Sequence, residues 1–111
     1  MDRVERYREV VSRLIEEYAS PKPSNGEIET EAIIDRAKDH YEVLHVGWDG
    51  DRRVHGAVVH VDIINGKVWI QYDGTDRPIA EECVAAGIPR SDIVLAFQPQ
   101  RVRQFTEFAV G

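Results

Sequence analysis

The chain lacks most of the features that mark secreted and membrane proteins. It has a single cysteine, Cys83, among its 111 residues, so no internal disulfide can form, which suits a reducing cytoplasm. No segment approaches the roughly 20 apolar residues of a membrane span, and the charges spread over the first part of the chain argue against a signal peptide. Without repeats or low-complexity tracts, residues 1–111 are predicted to form a single cytoplasmic domain.

Catalytic patterns are missing as well. The sequence has no phosphate-binding glycine loop, no His-Glu-x-x-His and no paired-cysteine spacing. Cys83 lies beside Val84 in a predicted short helix, which indicates packing rather than a reactive thiolate. Acidic groups such as Glu81-Glu82 fall on predicted solvent faces, where nothing drives their pKa values apart. We therefore predict neither an enzyme nor a cofactor.

Four histidines raise the question of a metal site. His60 and Asp62 would project from the same face of one strand, and His45 or His55 could join them across the sheet to bind zinc or manganese. The simpler interpretation is that these polar residues form local hydrogen bonds on a partly solvated face. Because no metal-binding spacing supports the first alternative, we predict no metal site.

The sharpest local signal is Asn65-Gly66, which lies between two apolar runs and suits the positive φ angles of a two-residue type I′ turn. The register that follows pairs Ile64 with Lys67, Ile63 with Val68, Val61 with Ile70, and Val59 with Tyr72. One face of this hairpin is then predicted core, namely Val59, Val61, Ile63, Val68, Ile70 and Tyr72. The other face is mixed and carries His60, Asp62, Trp69 and Gln71. A mixed face of this kind is either covered by a helix or left as a contact surface.

Two further strands are predicted before the hairpin. Residues 41–48 are apolar on both sides, as in a central strand covered on both faces. Turn residues Asp49–Arg52 follow, in a loop of two, three or four residues. The segment Glu27–Asp35 suits a helix by composition but alternates like a strand. We predict a strand there, because a lone hairpin needs further pairing to be stable.

An amphipathic helix is predicted at the N-terminus, with Asp2 and Glu5 as a capping box. It should end near Ser20, because Pro21 and the second proline two residues later disfavour helix, and residues 21–26 are then a loop.

The later part of the chain contains weaker signals. A short helix is predicted over residues 78–86, with Thr75 or Asp76 as its cap and Gly87 as its stop. Residues 93–97 are an apolar run that suits a strand or a buried turn.

A last helical turn or two is predicted over residues 101–108, because Val102, Phe105 and Phe108 would share one side. Taken together, the elements predict an α+β fold. Its sheet is mainly antiparallel, and the N-terminal helix and a short helix from the second half of the chain pack on it.

Charge and residue type narrow the choice of partner. Acidic residues outnumber Lys and Arg by 20 to 14, for a net charge of −6, so we do not expect direct binding to nucleic acid. Trp and Arg are favoured interface anchors. The arginine pairs Arg52-Arg53 and Arg101/Arg103 could contact an acidic or phosphate-bearing partner, or they could simply be solvated charges. The predicted partner-binding residues are Arg52, Arg53, His60, Trp69, Arg101 and Arg103.

The strings HVGWDG, RRVHGAVVHVDI and NGKVWIQ resemble the XisI family, whose members are known as controlling factors for excision of the fdxN DNA element. The likeness continues in YREVVSRLIEEYAS, PKPSNGEIE, GIPRSDIVLAFQP and the ending TEFAVG, so it covers essentially the whole chain. One minor departure is Asp76 after Thr75, which keeps the acidic charge usual at that place.

The resemblance implies an accessory role in DNA rearrangement and a companion, XisH, that resembles nucleases of the restriction-endonuclease type. We expect a non-enzymatic controlling factor that acts by contact with a XisH-like protein. The alternatives are a direct DNA-binding recombination factor and, more weakly supported, a small-molecule enzyme. The residues leave the mechanism, the stoichiometry and any homo-oligomer open.

Overall fold

A computed structural model describes residues 2–20 and 27–111 of the protein. Its longer elements, in chain order, are helix α1 (Arg3–Ala19), strands β1 (Glu27–Asp35), β2 (His40–Asp49), β3 (Arg52–Ile64) and β4 (Lys67–Asp73), helix α2 (Ile79–Ala85), strand β5 (Ile93–Leu95) and helix α3 (Gln100–Arg103). The strands form one sheet in the order β1-β2-β3-β4-β5. Neighbours are antiparallel except β4 and β5, which are parallel. The predicted α+β fold is confirmed, whereas the predicted loop over residues 21–26 lies outside the described residues.

Helix α1 begins where the sequence indicates. The Asp2 carboxylate accepts a hydrogen bond from the Glu5 amide at 2.8 Å, which is half of the predicted capping box. The other half is wrong, because the Glu5 carboxylate pairs with Arg8 and Arg36 instead. Every third or fourth side chain of α1 is buried against the sheet, namely Tyr7, Val10, Val11, Leu14 and Ile15.

The β3–β4 hairpin has the predicted turn, since φ is 52° at Asn65 and 77° at Gly66. The predicted register is confirmed from Ile64 back to Val61 and then fails. An extra residue, Gln71, forms a bulge, so that Tyr72 lies opposite His60 rather than Val59. Tyr72 is consequently 50% exposed, and its assignment to the core is wrong.

Strand β2 is an interior strand, as predicted, and pairs with β1 and β3. The turn to β3 contains two residues, with Gly50 at φ 61°, because Asp49 lies opposite Arg52. The prediction that β2 is covered on both faces is wrong. Trp48 is 45% exposed, and Leu44 and Val46 are only partly buried.

The second half of the chain supplies a second helix that packs on the core and the last strand of the sheet. Helix α2 stops at Gly87, where φ is 100°, as predicted. Its cap is neither Thr75 nor Asp76, because the Asp73 carboxylate accepts from the Ile79 amide at 2.8 Å. Of the two alternatives for residues 93–97, the strand is confirmed over Ile93–Leu95.

The last helical turn is shorter than predicted and ends at Arg103. Phe105 is 83% exposed, so the predicted shared side of Val102, Phe105 and Phe108 is wrong. Phe108 alone of the two phenylalanines packs against the core.

The core lies between one face of the sheet and helices α1 and α2. Cys83 of α2 is fully buried there, and burial raises the pKa of its thiol to about 12, which leaves it protonated and unreactive at neutral pH. Over residues 2–20 and 27–111, no helix combines the length and the apolar character needed to cross a membrane.

Candidate functional site

The sheet face opposite α1 is open over its β1–β2–β3 half. Residues directly across from each other on neighbouring strands share a face, and the register aligns Glu27, Trp48 and Arg53 in one row. In the next two rows, Glu29 lies opposite Val46 and Glu31 opposite Leu44. We call the solvent-exposed set of Glu27, Glu29, Glu31, Trp48 and Arg53 the distal face. It combines acidic side chains with one large aromatic ring.

The HVGWDGDRR segment builds this face. At Gly47 a Cβ atom would collide with the Glu27 carbonyl oxygen, so glycine is required for β1 to approach β2. The Arg53 guanidinium lies 5.2 Å from the centre of the Trp48 ring and donates to the Gly47 carbonyl at 3.3 Å. This cation–π contact favours the observed orientation of the exposed indole.

The other half of the same sheet face is covered by the C-terminal segment. The Arg103 guanidinium lies 5.6 Å from the centre of the Trp69 ring, and Gly111 approaches the ring within ordinary contact distance. Arg103 also donates to the carbonyl oxygens of Gln98, Ala96 and Val110, at 2.9, 3.2 and 3.2 Å respectively. Trp69 and Arg103, two of the six predicted partner-binding residues, therefore take part in internal packing.

The predicted residues fall into two groups rather than one. Arg52 and Arg53 lie at the β2–β3 turn, whereas Arg101 is exposed on α3 beyond β5. Nine positions separate Arg53 from Asp62 along β3, or about 30 Å at the usual strand rise. Trp69 lies directly opposite Asp62. The two arginine pairs consequently do not form one patch.

A cluster of polar side chains occupies the same face between these two groups. His40 lies opposite Asp62, and Glu42 lies opposite His60, so four titratable residues form a square on β2 and β3. His40 Nδ1 lies 3.0 Å from Asp62 Oδ1 and its Nε2 lies 2.8 Å from Glu42 Oε2. These two carboxylates, Glu42 first, raise the pKa of His40 above its ordinary value despite the opposing effect of partial burial.

His60 completes the square, with its Nε2 3.2 Å from Asp62 Oδ1, so it does form the predicted local hydrogen bond. Neither His45 nor His55 joins it, because they lie opposite Gly56 and Val46. The sequence reasoning missed His40 and Glu42. The i, i+2 spacing of these two residues, mirrored by His60 and Asp62, would have indicated the square once β2 and β3 were in register.

These features define a small α+β domain that presents a partly open sheet face with an acidic edge, an exposed tryptophan and a histidine–carboxylate square. The chain belongs to the XisI protein family, whose model matches residues 1–110.

Two solved structures are similar to the chain over its whole length. A XisI-like protein from Anabaena variabilis ATCC 29413 is 42% identical, with a TM-score of 0.92 over 97% of this chain and 99% of that one. The fdxN element excision controlling factor XisI from the same organism is 37% identical, with a TM-score of 0.86 over 99% of this chain and 100% of that one. No functionally curated protein matches.

Proposed function

We propose that this chain is a non-enzymatic controlling factor for the excision of a DNA element and acts by binding a XisH-like, nuclease-fold protein in the cytoplasm. The observation that carries the proposal is the match of residues 1–110 to the XisI family, together with a full-length neighbour described as an excision controlling factor. The resemblance to the family supplies the partner.

The distal face is the surface that best suits such a partner. Glu27, Glu29 and Glu31 alternate along the edge strand and point to one side, which gives a line of negative charge complementary to a basic protein. Trp48 and Arg53 stand beside this line as one stacked pair, and Trp and Arg dominate the binding energy of many interfaces. The partner is therefore expected to present a basic surface with an apolar pocket for the indole.

The role of the remaining predicted residues follows from their positions. Arg52 pairs with Asp49 at 3.2 Å beside the distal face and is expected at the rim of the interface. Trp69 and Arg103 pack against each other under the C-terminal segment, so their effect on binding should be indirect. His60 lies on the same side of the sheet but in the histidine–carboxylate square, and Arg101 lies on α3. Neither belongs to the distal face.

The negative charge of the distal face also favours contact with a protein over contact with DNA. A line of glutamates repels the phosphates of DNA, and phosphate contacts supply most of the affinity of DNA-binding proteins.

Co-expression with a XisH-like protein tests the proposal. The partner carries the purification tag, and the untagged chain should co-elute in a fixed ratio at low and at about 0.15 M salt. Failure of two separately folded proteins to associate at any salt concentration would contradict the proposal. Retention of binding when all three glutamates are changed to glutamine would leave the function standing but refute the distal face as its surface.

A further inference from the structure

We propose that His40, His60 and Asp62 bind a divalent transition-metal ion such as Zn²⁺ on the open sheet face. This goes beyond the proposed function, which needs no metal. It also departs from the sequence-based prediction of no metal site, which considered His45 and His55 rather than His40 as the third ligand. One nitrogen from each histidine and one carboxylate oxygen lie within 4.8 Å of one another. Among residues 2–20 and 27–111, these three residues form the one group of at least three His, Cys, Asp or Glu side chains that are so arranged.

The two distances from the Asp62 oxygen to the histidine nitrogens are close to those of tetrahedral coordination. Asp62 Oδ1 lies 3.0 Å from His40 Nδ1 and 3.2 Å from His60 Nε2. Zinc bonds of about 2.0–2.1 Å at tetrahedral angles place ligand atoms about 3.3 Å apart. Small changes of side-chain torsion would therefore open the present hydrogen bonds into a coordination site.

The groups behind the ligands are already in place. His40 uses its second ring nitrogen, Nε2, to contact Glu42 at 2.8 Å. Its Nδ1 faces Asp62 and is the nitrogen that would coordinate an ion once that hydrogen bond opens. Carboxylate–histidine contacts of this kind orient the imidazole and raise its basicity in metal sites. On the other side, the Gln71 amide donates to Asp62 Oδ2 at 3.3 Å, so Oδ1 is the oxygen that points to the two histidines.

The position in the fold suits a site that can be loaded from solvent. All three ligands stand on paired strands, β2 and β3, whose backbone is held by the ladder. Their side chains are 21–38% exposed, which leaves a path for the ion from solvent. Two histidines and one carboxylate favour zinc and related first-row ions over calcium or magnesium, which prefer all-oxygen sites.

Metal titration of the tag-free protein tests the proposal. Isothermal titration calorimetry with ZnCl₂ should give one ion per chain, and CoCl₂ should give the intense visible absorption of tetrahedral Co²⁺. We expect His40→Asn, His60→Asn and Asp62→Asn each to weaken Zn²⁺ binding by more than tenfold. Glu42→Gln, which alters only a supporting contact, should weaken it about tenfold.

His45→Asn and His55→Asn are the matched controls, because both histidines lie in the same two strands but outside the square. Both variants should bind Zn²⁺ like the wild type. The proposal is overturned if binding by the wild type is not saturable at one equivalent, or if a control variant weakens it as much as His60→Asn does. Circular dichroism checks that each variant is folded. If a ligand variant does not fold, the comparison of Glu42→Gln with the wild type still tests the proposal.

Discussion

Arg8 and Asp39 form a two-point ion pair that ties helix α1 to the turn between β1 and β2. Arg8 Nε lies 2.8 Å from Asp39 Oδ1, and Nη2 lies 3.1 Å from Oδ2. The Tyr41 hydroxyl donates to the same Oδ1 at 3.1 Å. Asp39 has φ 54°, a conformation that Asp and Asn tolerate better than most residues. These contacts, led by the Arg8 guanidinium, lower the pKa of Asp39 below its ordinary value.

Asp39→Asn should therefore destabilise the protein in a pH-dependent way. Since the folded pKa lies below the unfolded value of 3.8, the carboxylate contributes stability at neutral pH and loses it as the pH falls through the folded pKa. We expect a cost of about 1 kcal/mol at pH 7, because asparagine keeps the backbone conformation but not the charge. Thermal melts should show a smaller gap between variant and wild type near pH 3 than at pH 7. A gap that does not change with pH would contradict this account.

Val61→Asp should unfold the domain or destabilise it by several kcal/mol, because it places an unpaired charge among core residues. Val61 of β3 is fully buried. Ile64→Asp, three residues later in the same strand, is the matched control, since Ile64 is 39% exposed and should tolerate the change far better. Chemical denaturation of both variants measures the difference. Equal losses would refute the observed register.

Gly47→Ala should separate β1 from β2 at one point and destabilise the sheet. The added Cβ would meet the backbone of Glu27 and Ile28, which cannot rotate away as a side chain can. Gly56→Ala in β3 is the control, because nothing lies within 4 Å of its Cβ position. Amide hydrogen exchange should show lost protection in β1 for the first variant alone. Unchanged protection in Gly47→Ala would contradict the close approach.

Trp48→Ala should weaken binding to the XisH-like partner by more than tenfold while leaving the fold intact, because Trp48 is an exposed anchor of the distal face. Phe105→Ala removes another exposed aromatic ring that does not belong to that face, and this variant should bind normally. Surface plasmon resonance with the tagged partner gives both affinities. If the two variants lose affinity equally, the interface lies elsewhere.

The protein alone should not bind DNA usefully at physiological salt, because its charge is −6 and the glutamates of β1 repel phosphates. Fluorescence anisotropy with element-end DNA at about 0.15 M salt, where the Debye length is about 8 Å, measures this. Sequence-specific binding below about a micromolar would replace the protein-contact proposal by a DNA-binding one.

Local chemistry made part of the fold predictable. Asn65-Gly66 determined a turn type and hence a register, and Asp2 determined a helix start. The two places where the ladder shifts, at Gln71 in β4 and Val58 in β3, carry no glycine or proline that would indicate a bulge. The burial of Tyr72 was mispredicted for that reason, since strict alternation ends where a bulge begins.

The candidate sites depended on longer-range information. Trp69 could be placed on the second sheet face from its alternation, but its cover comes from Arg103 and Gly111, which are distant in sequence. His40 could join His60 only through the pairing of two strands. Conversely, Trp48 is exposed although it belongs to an interior strand, which no local pattern encodes.

The glutamates of β1 also affect whether two copies of this protein can associate through their sheet edges. Strand β1 is one edge of the sheet, and an exposed edge is a template for another strand. If two copies paired through β1, their glutamate lines would meet side by side on one surface, with like charges adjacent. At the other edge, β5 already bonds to the chain itself, since the Ala109 amide donates to the Ile93 carbonyl at 2.8 Å. The sheet is thus protected against growth at both ends, by charge at one and by occupancy at the other.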